Sequence, residues 1–597
     1  MSGSVSTSAT GSPYQLSRTS SQTSFETHQE EMLSAMQTTS PAPVHRVVFV
    51  GAGYVGGPTA AVIAYSCPQI SVTVVDKSAQ RIDQWKSKHL PIHEPGLKDI
   101  VRQAREGTDG PMSRSQNLFF STDCDTHIAM ADIIFLAVNT PTKVRGIGAG
   151  AATDISMFES AARSVALVAK PGAIIVEKST VPCRTAEMVR DILSFHRPGV
   201  GFEVLSNPEF LAEGTAIRDL LHPSRILIGS SMTPQGELAA ARLASVYENW
   251  VPKSSIITID VWSSELAKLV ANAMLAQRIS SINTVSAICE KTGSNIDNVA
   301  LAVGQDPRLG EKFLKSGLGF GGSCFKKDIL SLSYLAESLD LPEVTHYWRQ
   351  VVDINEWQCQ RFVKGVLKTM NGSLRGKKVA LLGYAFKKDT ADTRESQATE
   401  VVRMLLQEGP AHIAIYDPQC NRQHIEQELT ALLASPASII QPHGPVSISD
   451  SPYEACATAS AVLILTEWDQ FRYPSIKHAK PTRPKPQYAD SAVDCSFPTL
   501  QNMQDDACRD DARLHETSST ANLIAEPACP VDCKDCEVTA QRKDITNDAL
   551  DWAAVAKVMQ GERWVFDGRG VCDQAGLEKL GFLVRGIGRA DSRSKLR

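Results

Sequence analysis

The sequence predicts an α/β protein in which two parallel sheets are joined by a long helix. Three observations lead there. The apolar run Val47-Val48-Phe49-Val50 is followed by Gly51-Ala52-Gly53-Tyr54-Val55-Gly56-Gly57 and then by the apolar stretch from Ala60 to Ala64. A second such run, Val379 to Leu382, again meets a glycine, Gly383. Between them, the residues from about Ser263 to Lys291 carry apolar side chains at helical spacing and stop at Gly293, a residue type that closes helices readily.

The first run fits a strand, a G-x-G-x-x-G turn and a helix in immediate succession. Gly51, Gly53 and Gly56 let the backbone turn sharply and approach a phosphate, with Ala52, Tyr54 and Val55 completing the turn. The amides at the helix start would point at a pyrophosphate. Val72 to Val75 is a second strand and ends in Asp76, at the spacing of about 20 residues that dinucleotide binding requires. A carboxylate there holds ribose hydroxyls and repels a 2′-phosphate, so the expected cofactor is NAD. Residues 45–255 therefore read as an N-terminal Rossmann NAD-binding domain.

Further strands are expected at Ile133 to Val138 and at Ile174 to Glu177. The first runs into Asn139-Thr140-Pro141-Thr142 and the second into Lys178-Ser179-Thr180-Val181-Pro182. Open α/β sheets bind ligands at the carboxyl ends of their strands, so both loops are candidates. Residues 256–372 are expected to form a helical linker domain around the central helix. His412 to Asp417, Ala461 to Leu465, Trp564 to Arg569 and Phe582 to Val584 continue a second, Rossmann-like sheet within 373–597. From about 474 to 548 the pattern lapses into polar sequence too long for an ordinary loop, read as a mostly disordered insertion. Its Cys529, Cys533 and Cys536, with Cys508 further off, do not make the four placed ligands of a zinc site, and no metal is expected. Residues 1–44 are rich in Ser and Thr and read as a disordered tail.

The most informative segment is Gly319-Phe320-Gly321-Gly322-Ser323-Cys324-Phe325-Lys326-Lys327-Asp328. It places one cysteine at the end of a glycine-rich loop, at the start of a helix-like stretch. The positive end of a helix dipole is expected to lower the thiol pKa and raise the thiolate fraction. A nucleophilic thiol in a loop that grips a substrate is the reading these neighbours favour.

The whole chain sets bounds. Its 597 residues suffice for three or four domains, and 43% hydrophobic with 21% charged residues fits a soluble globular protein. A net charge of −5 gives no global case for nucleic acid or anionic membranes. No stretch approaches the length of a membrane span, and the first residues lack the apolar core of a secretory signal. Fourteen scattered cysteines without disulfide-type spacing point to free thiols in a reducing, cytoplasmic compartment.

Taken together, these motifs resemble the UDP-glucose/GDP-mannose dehydrogenase family, most closely the UDP-glucose dehydrogenases of its eukaryotic branch. Gly51 to Gly57, Val138 to Thr142, Glu177 to Pro182, Ser206 to Gly214, Trp262 to Lys268, the cysteine loop, Phe386 to Thr390 and Thr393 to Ser396 carry the resemblance. It implies a C-terminal UDP-binding domain and a four-electron oxidation of the C6 alcohol of UDP-glucose, with two NAD consumed. It implies Cys324 as nucleophile, Lys268 opposite developing oxyanions, Asn272 beside it, and Asp328, Glu209 and Thr180 acting on the catalytic water. For the cofactor it implies Asp76, Arg81, Val138, Asn139, Thr140, Pro141, Thr142, Ser179, Glu213, Cys324 and Arg394. For the substrate it implies Glu209, Phe210, Leu211, Ala212 and Glu213 around the sugar, with Lys268 and Asn272. Lys315, Gly319, Phe320 and Gly321 would line the nucleotide sugar, with Phe386, Lys387 and Arg569 at the UDP portion. Arg308 matches a residue that reaches a neighbouring subunit's sugar. The implied assembly is a homo-oligomer with a dimer as its minimal unit and a hexamer as one arrangement.

Two positions depart from the family pattern. Gly570 stands where a second basic residue often follows Arg569, and Pro307 precedes Arg308. Competing readings are a dehydrogenase of another nucleotide sugar, such as GDP-mannose or UDP-N-acetylmannosamine, and a catalytically silent binding homologue. The first prediction rests on Asp76. Its charge should repel a 2′-phosphate, so kcat/KM with NAD should far exceed that with NADP; comparable values would sink the assignment.

Overall fold

Strands fall, in chain order, at β1 (Arg46–Val50), β2 (Ser71–Val75), β3 (Thr108–Asp109), β4 (Leu118–Ser121), β5 (Ile133–Leu136), β6 (Ile174–Glu177), β7 (Glu203–Ser206), β8 (Ile226–Ser230) and β9 (Ile256–Asp260). The later ones are β10 (Lys378–Leu382), β11 (His412–Tyr416), β12 (Val446–Ile448), β13 (Ala461–Ile464), β14 (Asn522–Leu523), β15 (Trp564–Asp567) and β16 (Leu583–Gly586). This computed structural model describes residues 42–109, 113–433, 439–473, 522–523 and 549–589. The expected tail up to 41 and Cys508, Cys529, Cys533 and Cys536 lie outside the described residues.

The first sheet has the order β4-β2-β1-β5-β6-β7-β8-β9. All its pairs are parallel except β7 with β8. Its inner strands β1, β5 and β6 are buried on both faces because their apolar residues run almost without interruption, whereas β9 at the edge is half-exposed. Val47 and Phe49 pack into one core, while Val48 packs into another on the opposite face, as alternation along a strand demands. Strand β9 continues this sheet to Asp260, pairing in parallel with β8 before the chain turns into helix.

That helix spans Val261–Thr292, 32 residues. The Asp260 carboxylate caps its start by accepting from the Ser263 amide at 2.9 Å, and Gly293 closes it in the left-handed conformation at φ 80°. Lys268 and Asn272 are among its buried residues. At its near end a β-carbon on Gly229 of β8 would lie 2.6 Å from Ser264 Cβ. At its far end Glu290 accepts from the Gly588 amide at 2.9 Å, just beyond β16. Helices Phe325–Ser338 and Pro342–Thr369 pack against it.

The second sheet is wholly parallel, with order β12-β11-β10-β13-β15-β16. The chain leaves it near Tyr473 and returns near Leu550, whose amide donates to Gln470 O at 2.8 Å. The ends of the insertion therefore meet. Within it, β14 pairs antiparallel with β3, so this part of the insertion is not without structure. The pairing lies by the C-terminal end of helix Gly56–Ser66, where Arg114 donates to the Tyr65 carbonyl at 2.6 Å. That is the amino-end side of the first sheet. Among the described residues no helix is long and apolar enough to cross a membrane.

Excising 474–548 and closing the gap should leave turnover within a few-fold, because its ends touch and its pairing with β3 lies away from the strands' carboxyl ends. A folded deletion variant with abolished activity in a steady-state assay would contradict this.

Candidate active site

The glycine-rich turn follows β1 at the middle of the first sheet. A β-carbon on Gly51 would sit 2.4 Å from Ala137 O, and one on Gly56 2.1 Å from Gly51 O. Only hydrogen fits at either place. At Gly53 the nearest atom would be 4.0 Å away, leaving the backbone open to a ligand. Asp76 Oδ2 accepts from the Ala52 amide and Oδ1 from the Ser78 amide, both at 2.9 Å, which aims the carboxylate while lone pairs remain for hydroxyls. Arg81 is exposed on the next helix. These residues fit a dinucleotide.

The two loops beside the turn brace each other. Ser179 Oγ donates to Val138 O at 2.6 Å, and Thr140 Oγ1 donates to Thr180 O at 2.7 Å. Asn139, Pro141 and Thr142 continue the first of these loops. Beneath them Glu265 accepts from the amides of Arg184 and Ala186 at 2.6 and 2.8 Å. Glu177 is buried beside it. Loss of water, then the Glu265 carboxylate, push its carboxyl far above the usual range.

Lys178 is buried and pairs with Glu209 at 2.9 Å. Glu209 also accepts from the amides of Phe210 and Leu211 at 2.8 and 3.0 Å. Desolvation would raise its carboxyl, but the Lys178 charge and these bonds outweigh it and hold it below the ordinary value. Glu209 is therefore an anion at neutral pH. Phe210 lies under Arg225 at 3.9 Å and Lys268 at 5.0 Å. The Ala212 amide is held by Asp219 at 3.0 Å. Glu213 is held by Arg394 at 3.2 Å, and its carboxyl is pushed up by desolvation and then by Asp392.

Cys324 is the N-cap of helix Phe325–Ser338 and is exposed to the cleft. Its loop is clamped from both sides. Asn355 accepts from the Phe320 amide at 2.8 Å and donates to the Phe320 carbonyl at 3.0 Å. A β-carbon on Gly319 would meet Asn355 at 2.4 Å. On the other side, β-carbons on Gly321 and Gly322 would each meet Phe386 at 2.9 Å. Asn283 accepts from the Gly317 amide and Gln358 donates to its carbonyl, at 2.9 and 2.8 Å.

Around the thiol stand Lys268, Asn272 and Asp328. Asp328 is wholly buried; Asn272 Nδ2 donates to Oδ2 and Lys327 Nζ to Oδ1, both at 2.6 Å. Each carboxylate oxygen thus accepts one hydrogen bond, which fixes the side chain in place. Desolvation lowers the Lys268 ammonium despite the opposing charges of Asp328, Cys324 and Glu209. The expectation of a lowered thiol pKa is corrected. Desolvation by the surrounding side chains, then the Asp328 charge, raise the Cys324 thiol, with Lys268 pulling the other way.

Other expected residues sit further out. Arg569 donates to the carbonyls of Leu465, Gly319 and Phe386 at 2.7, 3.0 and 3.2 Å, so it staples the cysteine loop to the second sheet. Lys315 lies beside Gly570 and is lowered by desolvation and then by Arg472. Lys387 Nζ sits over the Phe386 ring at 5.4 Å. Arg308 is exposed and pairs with Asp306 at 2.6 Å, with no described contact to this cleft. Sequence reasoning named Lys178 and Glu265 only within longer motifs and did not single out Arg225, Asn283, Asn355 or Gln358, which here hold the loops in place.

Profiles of the UDP-glucose/GDP-mannose dehydrogenase family match residues 45–251 (NAD binding domain), 262–357 (central domain) and 380–492 (UDP binding domain). The chain belongs to the UDP-glucose/GDP-mannose dehydrogenase family. It is 52% identical to UDP-glucose 6-dehydrogenase 5 of Oryza sativa subsp. japonica over 434 residues, covering 72% of this chain and 88% of the rice protein. It is 50% identical to UDP-glucose 6-dehydrogenase of Drosophila melanogaster over 446 residues, covering 74% and 91%. Among solved structures, a UDP-glucose dehydrogenase from Pyrobaculum islandicum superposes with a TM-score of 0.62 at 31% identity, over 72% of this chain and 92% of that one.

The raised thiol carries a prediction. Alkylation of Cys324 by iodoacetamide, followed by peptide mass spectrometry across pH, should titrate above the ordinary cysteine range. Lys268→Ala should move the midpoint up and Asp328→Asn should move it down. Shifts of the opposite sign would show that these charges do not govern the thiol.

Proposed function

We infer that this chain is an NAD-dependent UDP-glucose 6-dehydrogenase that converts UDP-glucose to UDP-glucuronate. What supports the reading most is the grouping of Cys324, Lys268, Asn272 and Asp328 beside a dinucleotide-type turn, in a chain 52% identical to a rice UDP-glucose 6-dehydrogenase.

NAD supplies the hydride acceptor for both oxidations, held by the glycine-rich turn, Asp76 and the two braced loops. Chemistry at the sugar falls to the chain's own groups. Oxidation of the C6 alcohol leaves an aldehyde, which resists further oxidation until a nucleophile adds. The Cys324 thiolate adds to that carbon, giving a thiohemiacetal whose oxidation leaves a thioester. Water cleaves the thioester and frees the thiol. Each addition puts negative charge on oxygen, and buried Lys268 stabilises it in a water-poor cleft. Glu209, kept anionic by Lys178, and Thr180 orient the water. Phe386, Lys387, Lys315 and Arg569 are assigned to the UDP side.

A homo-oligomer is part of the proposal. Among the described residues Arg308 is exposed and pairs with Asp306 alone, which leaves it able to serve a second copy's sugar. Large apolar side chains on the central helical part, including Met274, Ile288, Leu301, Leu309 and Tyr347, are exposed, as an interface requires. A dimer is the minimal unit and a hexamer one arrangement of it. A cytoplasmic location is proposed from the free thiols of the described cysteines.

A panel of nucleotide sugars with NAD tests the reading, with NADH release followed by absorbance. UDP-glucose should give two NADH per UDP-glucuronate and no free aldehyde. Cys324→Ala should bind both ligands yet make essentially no acid. Cys324→Ser should be nearly as poor, since a hydroxyl is far less ionised than a thiol. Near-normal acid production by a folded Cys324→Ala would falsify the covalent route.

A further inference from the structure

One side chain given no role so far touches both ligand loops of the first sheet. Glu94 lies between helices Ala79–Lys86 and Leu97–Glu106 and is buried. Its Oε1 accepts from the Tyr54 hydroxyl and from the Gly214 amide, and its Oε2 accepts from the Ala216 amide at 3.0 Å. Tyr54 belongs to the glycine-rich turn. Gly214 and Ala216 end the loop that carries Glu209 and Glu213.

The contact region extends to the second sheet. Gly214 has φ +82°, and a β-carbon on it would lie 3.1 Å from Asp389 O. The Thr390 side chain hydrogen-bonds the Tyr54 phenol, and Arg394 reaches Glu213 at 3.2 Å. The sugar loop is thus wedged between the Glu94 carboxylate and the 389–394 segment.

Three donors from two loops converge on one buried carboxylate. Charge-assisted bonds of this kind are stronger than neutral ones. Removing the acceptor leaves two amides and a phenol without it, which costs more than an average hydrogen bond.

We propose that Glu94 is a positioning residue that sets the sugar loop against the cofactor turn, so that NAD and UDP-glucose bind interdependently through it. This rests on the functional reading above. The part of Glu94 is to fix where Tyr54 and the 209–216 loop stand. A disturbance at one loop is passed to the other because a single carboxylate serves both.

The test is steady-state kinetics of the full chain. Glu94→Gln keeps the size but offers one oxygen, and its NH2 must face a backbone donor. KM for NAD and KM for UDP-glucose should both rise roughly tenfold, with kcat changing less. A merely structural role would lower the unfolding temperature and leave both KM values alone. Tyr54→Phe removes one donor and should raise KM for UDP-glucose a few-fold, although the residue lies in the cofactor turn. That effect should shrink in the Glu94→Gln background, as coupled pairs require. Unchanged KM values in folded Glu94→Gln, a rise confined to one ligand, or strictly additive effects would overturn the proposal. If Glu94→Gln does not fold, an unchanged UDP-glucose KM in Tyr54→Phe overturns it instead. Wild type that makes no NADH from UDP-glucose would strike the functional reading itself, and the same assay reads that first.

Discussion

The geometry of the cleft depends on one buried negative charge. Asp328 has no access to solvent, and such a charge persists only if its neighbours supply opposite charge and donors. Asn272 from the central helix and Lys327 from its own helix do so. Satisfying Asp328 therefore fixes the cysteine helix against the central helix. With that contact made, Lys268, one helical turn before Asn272, necessarily faces the same cleft as Cys324. The charge that assembles the site also raises the thiol that the site must ionise, and Lys268 offsets part of that effect. Burial lowers the ammonium while it raises the thiol, so the two groups are brought closer in proton affinity than either would be in water.

The loops around this point get their order from side chains that bond to their backbone. Asn355 takes both backbone groups of Phe320, and Asn283 with Gln358 does the same for Gly317. Lys178 keeps Glu209 ionised. The arrangement follows a general rule for catalytic sites, in which outer partners fix the inner ones. Arg569 extends it across to the second sheet with three donated hydrogen bonds.

Much of this was readable from the chain. Strands such as β1, β5, β6 and β13 are short continuous apolar runs ending at glycine or polar loops, and the long helix begins and ends within two residues of where its pattern starts and stops. Strand β9 was not readable, because Ile256–Asp260 is a half-exposed edge whose pattern does not separate it from the helix that follows. The contacts of β14 were equally hidden, since a two-residue pairing leaves no periodic trace. In the site, Cys324, Asp76 and Glu209 stood out through spacing and family likeness. Asn355 and Glu265 did not, because a lone polar residue on an apolar helix gains its meaning only from what folds against it. The direction of the thiol's shift was misjudged for a related reason. The helix dipole is local and legible, whereas desolvation and Asp328 depend on how the cleft closes.

The central helix has a mechanical consequence. At 32 residues it is about 48 Å long, and an uninterrupted helix bends little over that span. Its first turn is lodged against β8 through Ser264 and its last turn is hydrogen-bonded to Gly588. It therefore behaves as a rod with both ends held. Lys268 and Asn272 sit on this rod between its two anchored ends, so the first sheet, the second sheet and the polar face over the thiol share one rigid element.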